Sequence, residues 1–136
     1  METTTKTPVE IIQELLAIYT TRKDAVEKLK VKNLADAEVV KLTHAAEQSD
    51  EFIADLMNEL SNYGDAVMAN VDRENEYQQI WKSSLEKIDT IPPPEGEQLF
   101  NTMENTLKKM YQHILDTNAD LPDSVVKILN RQLSKL

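Results

Sequence analysis

The chain has 136 residues, the length of one ordinary domain, and 40% of them are hydrophobic, which is enough to close a single core. Its 24 acidic residues outnumber its 15 basic ones, and the net charge of −9 argues against nucleic acid and anionic membranes as partners. Cysteine is absent and glycine occurs only 2 times, which excludes thiolate chemistry and disfavours β-rich folds. No apolar leader or long apolar run is present. We therefore expect a cytoplasmic, all-helical, single-domain protein over residues 7–136, with residues 1–6 disordered.

A first helix is predicted from a capping box at the start of this domain. Thr7 can accept a hydrogen bond from the backbone at Glu10, Glu10 can reach back, and Pro8 presets the first turn. The apolar residues that follow form a broad stripe, so we expect the helix to run to about Lys32.

A second helix has the clearest periodicity in the chain. We take Asp36 as its cap and Gly64 as the residue that ends it in a left-handed conformation. Small or apolar side chains recur at spacings of three and four between these two points. These positions are Val39, Leu42, Ala46, Ser49, Ile53, Leu56, Leu60 and Tyr63.

Three further helices are predicted in the C-terminal half. A short one starts near Asp72 and is ended by the proline run at residues 91–94. A fourth extends from about Glu95 to Asp116, and a fifth opens at Pro122. Amphipathic helices joined by short connections pack best side by side, so the fold class that we expect is all-α, an antiparallel four-helix bundle with an additional short helix.

The dinuclear metal site of ferritins requires Glu-x-x-His motifs on two helices, and this sequence lacks them. Lys41 lies three positions before His44, and Met110 lies three positions before His113. Neither a nucleophile motif nor a glycine-rich phosphate loop is present. We therefore expect no enzymatic activity, no catalytic residues, no cofactor and no bound metal.

A carboxylate-only metal site remains as the alternative. It would combine Glu104 and Glu47 with Glu14 or Glu27. Glu47 falls opposite the apolar seam of the second helix and Glu104 flanks the seam of the fourth, which disfavours this site.

Polar residues interrupt two of the apolar stripes. Arg22 and Lys23 interrupt the first helix, and Ser49 lies in the seam of the second. One interpretation is that the cations extend to the rim and that Ser49 bonds to its own helix carbonyl. The other is a polar interior layer in which Lys23 or Arg22 pairs with Glu104 near Tyr111; its candidate residues are Lys23, Ser49, Glu104 and Tyr111.

Two aromatic residues on the short third helix are candidates for an interface. Tyr77 and Trp81 lie one helical turn apart, and such residues are favoured in the centres of protein interfaces. Packing in the core is the alternative role for both.

Several short motifs, in order and over most of the chain, resemble those of a bacterial ferritin-like four-helix-bundle family of unknown function. The chain departs from that pattern at Ala25, where the family has glycine, and at Gln78-Gln79, where it has a His-Arg pair. The matching residues are Lys23-Asp24, Glu47-Gln48, Phe52, Leu56, Tyr63-Gly64, Trp81, Glu104, Tyr111, Leu121-Pro122 and Arg131-Gln132.

The resemblance implies a ferritin-like bundle with a link to stress adaptation, and it names a fold rather than an activity. Our leading hypothesis is a non-enzymatic helical-bundle protein that acts through protein–protein contacts or self-association, with another protein or a second copy of the chain as its partner. The alternative is a degenerate or carboxylate-only ferritin-like metalloprotein. Small-ligand binding in the bundle core is a third hypothesis.

Overall fold

The computed structural model describes residues 7–31, 35–63, 76–88, 90, 92–118 and 121–136. Within these ranges the chain is helical and has no β-strand, which confirms the predicted all-α class. The proposed disordered stretch, residues 1–6, and the proposed terminator Gly64 lie outside the described residues. The elements are α1 (Pro8–Lys30), α2 (Asp36–Leu60), a 3₁₀ turn (Ser61–Tyr63), α3 (Glu76–Ile88), α4 (Pro93–Thr117) and α5 (Asp123–Lys135).

The predicted capping box at the start of α1 is confirmed. The Thr7 hydroxyl accepts a hydrogen bond of 3.2 Å from the backbone N–H of Glu10. In return, the backbone N–H of Thr7 donates to Glu10 Oε1 over 3.1 Å. Both contacts satisfy donors that the first helical turn leaves free, so the sequence alone fixes where α1 begins.

The starts of α2 and α4 differ from the prediction. Ala35, and not Asp36, occupies the N-cap position of α2, and Asp36 is the first helical residue. An acidic residue there still interacts favourably with the positive end of the helix dipole. Helix α4 begins at Pro93 instead of Glu95, because the first helical positions need no backbone N–H donor and therefore tolerate proline.

Helix α1 lies at the centre of the packing. It contacts α2, α3 and α4, and every residue from Ile11 to Tyr19 is buried. A helix that is buried all round has no face for an unpaired charge. The buried polar side chains of α1, Arg22 above all, therefore need hydrogen-bonding partners.

Helices α1 and α2 run in opposite directions. The Tyr19 ring meets the Phe52 ring at 5.4 Å between centroids, and one turn further along α1 Arg22 bonds Ser49, which precedes Phe52 in α2. Helix α5 packs against both α2 and α4. Its hydrogen bonds and ion pairs with α2 involve Gln48, Glu51, Phe52, Asp55 and Glu59.

Helix α4 packs closely against Leu29 of α1 at a glycine. A Cβ atom on Gly96 would lie 2.9 Å from Cδ2 of Leu29, a side chain that is buried in the core. Real side chains do not approach this closely, so Leu29 occupies space that only glycine leaves open.

We predict that Gly96→Ala and Leu29→Ala are non-additive in a double-mutant cycle measured by urea unfolding. Alanine is favoured over glycine inside a helix by about 1 kcal/mol, but beside Leu29 the new methyl group would clash. In the Leu29→Ala background, Gly96→Ala should therefore be more favourable by about 1 kcal/mol than in the unmodified chain. Strictly additive free energies would contradict this packing.

Candidate functional site

A buried arginine organises the interior. Arg22 on α1 is only 2% exposed, and its guanidinium forms a two-pronged ion pair with Glu104 on α4. Nε donates to Glu104 Oε2 over 3.0 Å, and Nη2 donates to Oε1 over 2.5 Å. Such planar, bidentate pairing is the geometry in which arginine binds a carboxylate most strongly.

The remaining donors of Arg22 bind α2. Nη1 donates to the Ser49 hydroxyl over 3.2 Å, and Nη2 also donates to Gln48 Oε1 over 3.0 Å. The Ser49 hydroxyl donates in turn to its own helix carbonyl at Ala45 over 2.8 Å. The guanidinium carbon lies 5.7 Å from the centre of the Tyr19 ring, which adds a cation–π contact. We call Arg22, Glu104, Gln48 and Ser49 the arginine layer.

A second hydrogen-bonded chain crosses the core beside the arginine layer. Tyr19 and Tyr111 are joined oxygen to oxygen at 2.5 Å, and the Tyr111 hydroxyl donates to Gln132 Oε1 over 2.7 Å. The Tyr111 hydroxyl has one hydrogen and donates it to Gln132. Tyr19 is therefore the donor in the bond between the two tyrosines. Gln132 Nε2 then donates to the carbonyl of Phe52 over 3.4 Å.

This chain has a single direction. The Phe52 carbonyl accepts and cannot donate, so the amide nitrogen of Gln132 must face it and the amide oxygen must face Tyr111. The result is a tyrosine relay, Tyr19 to Tyr111 to Gln132 to Phe52, that connects α1, α4, α5 and α2.

Burial keeps both phenols of the relay protonated. Removal from water raises the pKa of Tyr19 far above its ordinary value, even though the hydrogen bond to Tyr111 and the charge of Arg22 act in the opposite direction. Burial raises the pKa of Tyr111 as well, and its contacts with Tyr19 add to the increase. The relay therefore carries no charge at neutral pH.

Three of the predicted layer residues lie in the interior, and the fourth does not. Ser49 and Glu104 both bind Arg22, and Tyr111 belongs to the tyrosine relay. The prediction that Lys23 belongs to the interior layer is wrong. Its side chain is 42% exposed and pairs with Asp50 at 2.6 Å. Consecutive helical residues point about 100° apart, so only Arg22 of the two cations faces α4.

The sequence did not indicate a role in these networks for three of their side chains, those of Gln48, Gln132 and Tyr19. Gln132 had a readable signal, because it follows Val125 and Leu129 at helical spacing on α5, in a position where an apolar residue would be usual. Tyr19 gave no signal, since its ring belongs to the apolar stripe and only its hydroxyl is polar. The interface candidates Tyr77 and Trp81 lie in α3, but their side chains fall outside the described part.

The carboxylates that were candidates for the alternative metal site do not form a metal site. Both oxygens of Glu104 accept from Arg22, while Glu47 and Glu27 are exposed and Glu14 is buried. Over the described ranges, no three or more His, Asp or Glu side chains lie close enough to hold a metal ion. His44 and His113 are both exposed.

Two open cavities lie side by side along the N-terminal half of α2, sharing His44 and Glu47. The first has a volume of about 360 Å³ and also touches the end of α5 through Lys135. The second has a volume of about 340 Å³ and is partly apolar. The first is lined by His44, Glu47, Gln48, Glu51 and Lys135, and the second by Val39, Val40, Thr43, His44 and Glu47.

Comparison with known proteins gives no relative: no family model, no curated protein and no solved structure matches the chain. None of the helices that the structure describes combines the length and the apolar character needed to cross a membrane.

We predict that Glu104→Gln lowers the free energy of unfolding by about 2–3 kcal/mol, because it leaves the buried Arg22 cation without its counter-charge. The matched control is Asp50→Asn, which removes the carboxylate partner of the adjacent cation, Lys23. That pair is exposed, so its loss should cost about 0.5 kcal/mol or less. Urea unfolding at pH 7 measures both, and equal losses would contradict the arginine layer.

We also predict that alkali destabilises the fold through the tyrosine relay. In the unfolded chain Tyr19 and Tyr111 ionise near pH 10, whereas in the folded chain they keep their protons. Stability is therefore full below about pH 10 and falls as pH rises above it, by up to about 2.7 kcal/mol per pH unit for two phenols. Tyr19→Phe should roughly halve that slope in urea unfolding across this range, and an unchanged slope would contradict the assignment.

Proposed function

We propose that the protein is a non-enzymatic helical-bundle protein that acts through protein–protein contacts made by the surface that carries Val31, after α1, and Val40, on α2. Within this proposal the fold is a ferritin-like four-helix bundle of α1, α2, α4 and α5, with α3 as the additional helix. The opposite directions of the α1–α2 and α2–α5 pairs support that assignment. The absence of cysteine fits a reducing compartment, so we place this activity in the cytoplasm.

The observation that carries the proposal is a pair of exposed valines. Val31, which follows α1, is 86% exposed, and Val40 on α2 is 69% exposed. The antiparallel contacts of Tyr19 with Phe52 and of Arg22 with Ser49 set the register of the two helices, and this register brings the valines to the same level. We call these two valines and the half-buried Val39 the valine patch, of which Val39 and Val40 line one cavity.

Exposed aliphatic side chains that share one surface gain free energy when a partner covers them. The patch is also continuous with the second cavity, which Val39 and Val40 line together with polar groups. An apolar centre with a polar margin is the composition of many protein interfaces.

The interior supports a binding role over a catalytic one. Arg22 makes four hydrogen bonds and both oxygens of Glu104 accept from it, so these charged groups are committed to structure. The phenols of the relay are equally committed, because each is held in a hydrogen bond. A catalytic acid or base would need a free position beside a substrate.

Site-specific photo-crosslinking tests the proposal. A photoreactive phenylalanine analogue replaces Val40 in the full chain inside cells of the natural host, and the matched control carries it at Gln112, an exposed position on α4. We expect protein adducts from position 40 and few from position 112. Mass spectrometry then tells a second copy of the chain from another protein.

Light scattering over a range of concentrations completes the test. Val31→Lys should leave the fold intact, since the side chain is exposed, and should reduce adduct formation or self-association. The proposal is wrong if position 40 yields no more adducts than position 112 and the protein stays monomeric throughout.

A further inference from the structure

One face of α2 carries acidic residues at every fourth position. These are Glu47, Glu51, Asp55 and Glu59. Residues four apart lie one above another on a helix, so the four carboxylates form a single stripe along α2. Like charges at this spacing repel each other, and the stripe is therefore favourable only where cations face it.

Helix α5 supplies cations to the two middle residues of the stripe, Glu51 and Asp55, while Glu59 accepts a hydrogen bond from Ser124. The basic residues of α5 follow the same spacing, with Arg131 and Lys135 four positions apart. Arg131 Nη2 lies 3.0 Å from Asp55 Oδ2, and Lys135 Nζ lies 2.7 Å from Glu51 Oε1. The bond from Lys135 lowers the pKa of the Glu51 carboxyl. We call these two ion pairs the charge ladder.

Glu47 lies one helical turn before Glu51 on α2, and no cation of the described residues pairs with it. The first cavity lies beside Glu47 and is lined by His44, Glu47 and Gln48 together with the paired Glu51 and Lys135. The carboxylate of Glu47 is exposed there.

Aliphatic surface continues from this carboxylate. The second cavity shares Glu47 and His44 with the first and adds Val39, Val40 and Thr43. A carboxylate beside exposed aliphatic groups suits a side chain that is both long and cationic, because lysine and arginine pack their apolar stems while their charged ends stay in water.

We propose that the N-terminal half of α2 binds a basic amphipathic helix of a partner protein, with a lysine or arginine paired to Glu47 and aliphatic residues against Val39 and Val40. The lysine or arginine of the partner would extend the charge ladder by one ion pair. This proposal rests on the proposed function and names its partner class. The net charge of −9 attracts such a cationic partner over long range.

The test uses the full chain and synthetic helical peptides of about 15 residues, followed by fluorescence anisotropy. One peptide carries lysines four positions apart on one side of a leucine stripe. A second has the same composition with the lysines placed all round the helix, and a third has glutamate in place of lysine. We expect the first peptide to bind at least about fivefold more tightly than the second and the third not to bind.

Variants of the chain locate the site. Glu47→Gln should weaken binding of the first peptide by about threefold to fivefold, the contribution of one exposed ion pair. Glu86→Gln, an exposed position on α3, is the matched control and should leave binding unchanged. Val40 is exposed, and we expect Val40→Lys to weaken binding and Val40→Glu to strengthen it. A loss of folding would not produce two opposite effects.

Three results would overturn the proposal. Equal binding of the first two peptides would mean general attraction to an acidic protein. Sensitivity to Asp55→Asn without sensitivity to Glu47→Gln would mean that the peptide displaces α5. Failure of all three peptides would exclude the basic helix, and crosslinking from position 40 would in that case still support a protein contact of different chemistry.

Discussion

The fold depends on how a buried arginine at the centre of the molecule is neutralised. A guanidinium removed from water is strongly unfavourable unless a carboxylate and further acceptors surround it. Glu104 provides the charge from α4, and Ser49 and Gln48 provide neutral oxygens from α2. Because these partners come from different helices, satisfying Arg22 fixes how α2 and α4 are rotated about α1.

Two polar networks hold the helices in place. The arginine layer joins α1 to α4 and α2 by charge, and the tyrosine relay joins all four of α1, α4, α5 and α2 without any charge. Apolar packing alone would tolerate small sliding of one helix along another. Directional hydrogen bonds in the core do not, so the networks select one register among several of similar apolar burial.

The helices could be predicted well from sequence, because caps, prolines and apolar spacing act locally. The interior was only partly predictable. Glu104 and Ser49 stood out as polar residues beside or within apolar stripes, but the choice between Arg22 and Lys23 depends on helix rotation, which neighbours determine. Gln48 could not be assigned, since its role arises from two helices that meet it only in the folded state.

The amide of Gln48 affects how α5 detaches from the rest of the fold. Its oxygen accepts from Arg22, and its nitrogen donates to the carbonyl of Lys135 at the end of α5 over 3.0 Å. A helix of 13 residues is only marginally stable by itself and would exchange its amide hydrogens early if it detached alone. Detachment of α5 would remove the acceptors of the Gln48 amide nitrogen and of the Tyr111 hydroxyl, so we expect α5 to open together with the central helices.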